Sequence, residues 1–148
     1  MMQRFLMAVI AVGCIALGYI LWVAFTATPD APFVLEGTYN VQRWVGDKTD
    51  STPDITGTVQ ISPRGPGWSL SGIIDGKEIQ GTGMYADWED AINFSISNED
   101  KTSFTAVDLK YAGDTLTGVW QRHHIELNTD LEQPLPEDVG TEIWIKQE

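Results

Sequence analysis

The chain has 148 residues, 43% of them apolar, and a formal charge of −12. That apolar content excludes a disordered chain, and the length fits one domain with one appendage. A single cysteine excludes a disulfide framework or a zinc ribbon. The acid excess argues against nucleic acid, whose phosphates need a basic surface.

Residues 1–4 contain Arg4, the only charged side chain before residue 29. Residues 5–27 then run for 23 positions without a charge. At about 1.5 Å per residue this helix spans about 34 Å, enough to cross a bilayer core. Tyr19 and Trp22 lie toward its far end, as interfacial aromatics do. Arg4 on one side and Asp30 on the other predict a cytoplasmic N-terminus and an extracytoplasmic domain, here the periplasmic side of a bacterial inner membrane. The competing reading is a cleaved signal peptide, whose apolar region is shorter and ends in a small-residue site. Cys14 stands in a faint lipoprotein-like box, Ala11-Val12-Gly13-Cys14, but the apolar run continues well past it. Ala11, Cys14 and Gly18 form a small-residue stripe that would let a second membrane helix approach closely.

Residues 28–35 read as a short linker containing Pro29 and Pro32. Eight residues reach less than about 30 Å, so the domain over 36–148 stays near the membrane. From Gly37 onward the pattern has a period of two. Thr38 to Trp44 is a first strand. Ile55, Val59 and Ile61 mark a second, Trp68, Leu70 and Ile74 a third, and Ile79, Gly81 and Gly83 a fourth. Ile92, Phe94 and Ile96 mark a fifth, Thr105, Val107, Leu109 and Tyr111 a sixth, and Leu116, Gly118 and Trp120 a seventh. Thr141, Ile143 and Ile145 close with an eighth, and the alternation is what a sheet with one buried face requires. Asp75-Gly76 and Ala112-Gly113-Asp114 are hairpin signals. The prediction is an all-β, eight-stranded antiparallel meander closing as a small barrel behind one N-terminal transmembrane helix. Closure would pair the first strand near Tyr39 and Val41 with the last near Ile143 and Ile145.

An apolar-polar-Gly repeat recurs at Ile55-Thr56-Gly57, Ile79-Gln80-Gly81 and Leu116-Thr117-Gly118. Together with Glu36-Gly37-Thr38-Tyr39, Val119-Trp120 and Gly140-Thr141-Glu142-Ile143-Trp144, it resembles small bacterial lipocalin- or avidin-like domains of the calycin type. The resemblance covers roughly residues 36–146 and implies a calycin-like barrel that holds a small ligand. Tyr39-Asn40-Val41-Gln42-Arg43 stands where avidin-like chains continue into their ligand loop, so no biotin-site residue carries over. Gly37-Thr38-Tyr39 replaces the lipocalin Gly-x-Trp opening.

Catalytic signals are few. His123 and His124 are adjacent on a strand and point to opposite faces, so they do not share a metal; His124 and Glu126 supply only two ligands. The acidic clusters at Asp47, Asp50 and Asp54, at Asp87, Glu89 and Asp90, and at Glu99-Asp100 match no calcium loop. No nucleophile stands with a base, and no glycine-rich loop precedes a helix. The expectation is no enzyme activity, no catalytic residue, no cofactor and no metal.

Two segments suggest contacts instead. Trp88 is apolar bulk stranded among acids, and tryptophan is enriched at binding hot spots. Residues 125–138 form a long connection with five acids and with Leu127, Leu131 and Leu135 at every fourth position, a candidate docking arm. The functional expectation is a non-enzymatic accessory or structural subunit of a larger membrane complex, of the photosynthetic or respiratory kind. Its partners would be membrane-embedded subunits or a basic soluble protein, with the bilayer contacted through residues 5–27. The alternative is a lipocalin- or avidin-like protein that binds a small ligand.

Overall fold

The computed structural model describes residues 31–47, 51–99, 101–124 and 136–148. The helix expected over 5–27, its stripe at Ala11, Cys14 and Gly18, and Leu127, Leu131 and Leu135 lie outside the described residues. Among the described residues no helix is long and apolar enough to cross a membrane.

Eight strands follow in chain order: β1 (Gly37–Val45), β2 (Ile55–Arg64), β3 (Gly67–Ile74), β4 (Lys77–Ala86), β5 (Ala91–Asn98), β6 (Ser103–Ala112), β7 (Thr115–His124) and β8 (Val139–Lys146). Each pairs antiparallel with the next, and β8 pairs with β1 to close the barrel. Closure places Val41 opposite Trp144, with Asn40 opposite Ile145 and Gln42 opposite Ile143. It abolishes the exposed edges that a flat sheet of this apolarity would offer to other chains.

Alternation puts the apolar set inside. Tyr39, Val41, Val59, Ile61, Trp68, Leu70, Ile92, Phe94, Val107, Leu109, Leu116 and Trp120 are all buried in one core. The eighth strand is a correction to the sequence reading. Trp144 and Glu142 face inward and are fully buried, whereas Ile145 is exposed and Ile143 only half-buried. Both faces of β8 carry large apolar groups, so periodicity alone could not fix its phase. The Trp144 ring decides it: it stacks on Phe94 with centroids 5.5 Å apart and lies beside Tyr39.

Eight strands leave both ends of the described chain on the same side. Residues 31–36, the Asp87–Asp90 turn, the Gly113-Asp114 turn and the C-terminus share what we term the proximal end. Residues 46–54, the Asp75-Gly76 turn, the β5–β6 turn and the two attachment points of the 125–138 connection share the distal end.

The proximal end is plugged. Leu35 is buried, and its carbonyl accepts a 2.9 Å hydrogen bond from the Tyr39 hydroxyl. Phe33 stacks on Tyr111 at 4.3 Å and meets Tyr85 edge-on at 5.4 Å. Ala31 also packs against the core. Burial, with the neighbouring Tyr111 and Asp114 charges, pushes the Tyr39 phenol up to about 12, so it stays a donor to the plug.

Strand glycines let the wall coil tightly. A Cβ at Gly118 would collide with the Asp108 carbonyl oxygen on β6. Replacing Gly118 with alanine is therefore expected to cost about 1–3 kcal/mol, as forced overpacking does. Chemical denaturation of the single variant measures this directly, and a stability equal to that of the parent would contradict the close approach.

Candidate functional site

The barrel interior is filled over its proximal and middle levels. Trp68, Trp120, Trp144, Phe94 and Tyr39 occupy the space that a large apolar ligand would need. Trp44 is also buried, outside the barrel wall, where its indole N–H donates to the Ser51 carbonyl at 2.8 Å.

Trp88 differs from every other described tryptophan: it is 79% exposed. It sits in the four-residue turn between β4 and β5. Asp90 takes the left-handed conformation there, with φ of 51°. The Tyr85 hydroxyl donates to Asp90 at 2.8 Å, and the Glu89 amide donates to the Ala86 carbonyl at 3.2 Å. That hydrogen bond to Asp90 raises the Tyr85 phenol above its ordinary range. The turn is thus braced from both sides while its indole projects into solvent. Val34, 71% exposed, and Met84, 60% exposed, lie at the same end.

The structure places Trp88 and the attachment points of the 125–138 connection at opposite ends of the barrel, with residues 125–135 outside the described residues. Trp88 is proximal, whereas the 125–138 connection leaves β7 and rejoins β8 at the distal end.

The distal end holds a recess of about 210 Å³. It is lined by Arg43, Arg122 and Lys77, by Asn98, Ser103 and Thr105, and by isoleucines from four strands. Arg43 projects inward from β1 and is buried. Its Nε donates to Glu142 Oε2 at 2.5 Å, and Arg43 and Glu142 are direct cross-strand partners. The guanidinium lies over the Trp120 ring at 5.6 Å. Arg122 lies over the same ring at 5.7 Å and pairs with Asp138 at 3.6 Å. Asp138 also holds His124 at 3.0 Å. His123 points elsewhere and stacks on Phe104, so the two histidines share no site. Among the described residues no group of three or more metal-ligating side chains occurs.

Glu142, the partner of Arg43, is a fully buried carboxyl. Its burial pushes the carboxyl above the ordinary range, and the Arg43 guanidinium partly offsets this. The Trp144 indole N–H lies close enough to favour the charged form a little further, yet outside hydrogen-bond geometry.

Arg43, Glu142 and Arg122 are not among the residues that the sequence nominated for a site. A signal was present for one of them: the Tyr39-Val41 alternation already points position 43 inward. No family model matches the chain, and no curated protein is significantly similar to it; the eight-stranded antiparallel barrel, consistent with a calycin-type fold, is what is shown.

Proposed function

We propose that the chain is a non-enzymatic, single-pass inner-membrane protein, with residues 5–27 as its anchor. It presents the acidic barrel on the periplasmic side as an accessory subunit of a larger membrane complex. The observation that carries this reading is Trp88, exposed on a braced turn at the plugged, proximal end. Because residues 31–35 already belong to the barrel, only residues 28–30 separate it from the apolar run. Three residues reach at most about 11 Å. The proximal end then faces the membrane surface, where extramembrane loops of neighbouring subunits lie.

Residues 29–148 hold eight basic and all 21 acidic residues. Such a domain repels anionic headgroups and attracts basic protein surfaces within about a Debye length, roughly 8 Å. Charge speeds the encounter, and an apolar anchor such as Trp88 holds the complex. The filled interior favours this reading over a lipocalin-like carrier of large apolar ligands.

Replacing Trp88 with alanine is expected to reduce co-purification of partner subunits from mild detergent at least tenfold, about the loss of a hot-spot tryptophan. The control replaces Asp47 and Asp54 with asparagine at the distal end and should leave recovery unchanged. Wild-type stoichiometry in the Trp88 variant would reject the proximal end as the docking face and move the association to the stripe at Ala11, Cys14 and Gly18.

A further inference from the structure

We propose that the outer face of β8, with the β7 and β1 residues beside it, is the contact between two copies of this chain standing side by side in one membrane. The observation that starts the argument is a strand that is apolar on both sides. β8 contains the run Ile143-Trp144-Ile145. A continuous apolar run is what a strand covered on both faces carries. Trp144 fills the barrel interior, but Ile145 is 40% exposed and Ile143 only half-buried. Val119, 54% exposed, extends the outer patch onto β7: it pairs with Thr141 and so lies diagonally beside Ile143. Thr117 stands opposite Ile143 on the same strand, and Gln42 and Asn40 border the two isoleucines on β1. The β-branched side chains of this patch are stiff at χ1, so covering them costs little rotamer freedom.

Charge names the occupant. Residues 29–148 hold eight basic and 21 acidic residues. None of them stands at an outward position from Thr115 to Gln121 on β7, from Thr141 to Ile145 on β8 or from Thr38 to Gln42 on β1. Glu78 stands on β4, and Asp108 and Lys110 on β6, away from this face. A basic partner gains nothing electrostatic from an uncharged surface. In a two-fold contact the same patch meets itself, so any net charge on it is brought against a like charge. A domain this acidic pairs with its own copy at least cost where its wall is uncharged and apolar.

Orientation agrees, and this step rests on the anchor proposed above. With the proximal end toward the bilayer, two barrels stand at one height and meet wall to wall about a two-fold axis along the membrane normal. Three strands by seven residues give a face of about 300 Å². A partner in a free-standing complex buries roughly 800 Å². Confinement to one bilayer raises the effective concentration and offsets the small area.

The test is cross-linking of the full chain in its membrane with a short bis-maleimide. Cys14 is first replaced by alanine, which removes the native thiol and keeps that position small. Ile145→Cys in this background should give a cross-linked homodimer. Thr82→Cys, exposed on β4 and four strands around the barrel from β8, should not. Adding Val119→Lys to Ile145→Cys should cut the dimer at least tenfold without lowering the melting temperature, because Val119 is exposed. Salt separates this contact from the Trp88 face. Screening between two acidic barrels should raise the dimer yield at high salt, whereas recovery of partner subunits should fall. No dimer from Ile145→Cys, an equal yield from Thr82→Cys, an adduct with a different protein in place of the dimer, or full yield after Val119→Lys would each overturn the proposal. Val119→Lys should leave co-purification of partner subunits unchanged, and Trp88→Ala should leave the dimer unchanged, so the two contacts fail separately. A chain missing from the membrane fraction would refute the anchor, and the same cross-linking of the concentrated chain in solution would still decide the pairing.

Discussion

Removing residues 141–148 is expected to abolish cooperative folding of the domain. The deletion takes out most of β8 and with it the ladders to both β1 and β7. It also removes the buried Trp144, whose ring packs on Phe94 and Tyr39. Deleting one large core aromatic costs about 3–5 kcal/mol on its own. Small domains hold about 5–15 kcal/mol in total. Loss of two ladders and the exposure of two strand edges take the remainder. Calorimetry or near-ultraviolet dichroism of the truncated domain should show no sharp transition. A truncated chain that melts like the parent would disprove closure through β1 and β8.

The second large effect concerns the buried ion pair. Changing Arg43 to methionine leaves Glu142 buried and without its cation. Breaking such a pair costs about 3–5 kcal/mol. Changing Glu142 to leucine as well should restore the lost stability, and the double variant can exceed the parent. Double-mutant-cycle denaturation measures both. Acidity gives a further signature. The folded Glu142 carboxyl is raised by burial and lowered by Arg43, with burial the larger influence. A raised folded value means that the folded state binds the proton more tightly than the unfolded chain. The stability this supplies is full below the ordinary value of 4.5 and is lost as pH rises through the folded value. Without Arg43 the upward push is unopposed. The deficit of the Arg43→Met variant relative to the parent should therefore be greatest near neutral pH and shrink on acidification. A deficit independent of pH would show that Glu142 does not ionise inside the barrel.

Much of the barrel could be read from the chain because period-two alternation and hairpin turns are local signals. The strands around Val59, Leu70, Phe94 and Val107 each declare their inner face within a few residues. The phase of β8 could not be read locally, since Ile143 and Trp144 compete for the core and only Phe94, far away in sequence, settles the matter. The Arg43–Glu142 pair was hidden for the same reason: alternation points position 43 inward, but its partner is 99 residues away and nothing local names it. The packing of Phe33 and Leu35 was obscured by two prolines that mark a connector. Trp88 was legible because an isolated indole among acids has no core to join.

The plugged end has a mechanical consequence. Any pull transmitted through residue 31 first meets the Phe33–Tyr111 stack and the Tyr39–Leu35 hydrogen bond, which are few and local. Their release would free residues 31–36, whose full extended reach is about 20 Å. Further load then drags β1 along its own axis between β2 and β8, where seven cross-strand pairs on each side resist together in shear rather than opening one at a time. Under such a pull the domain would give a soft first extension followed by a stiff stop.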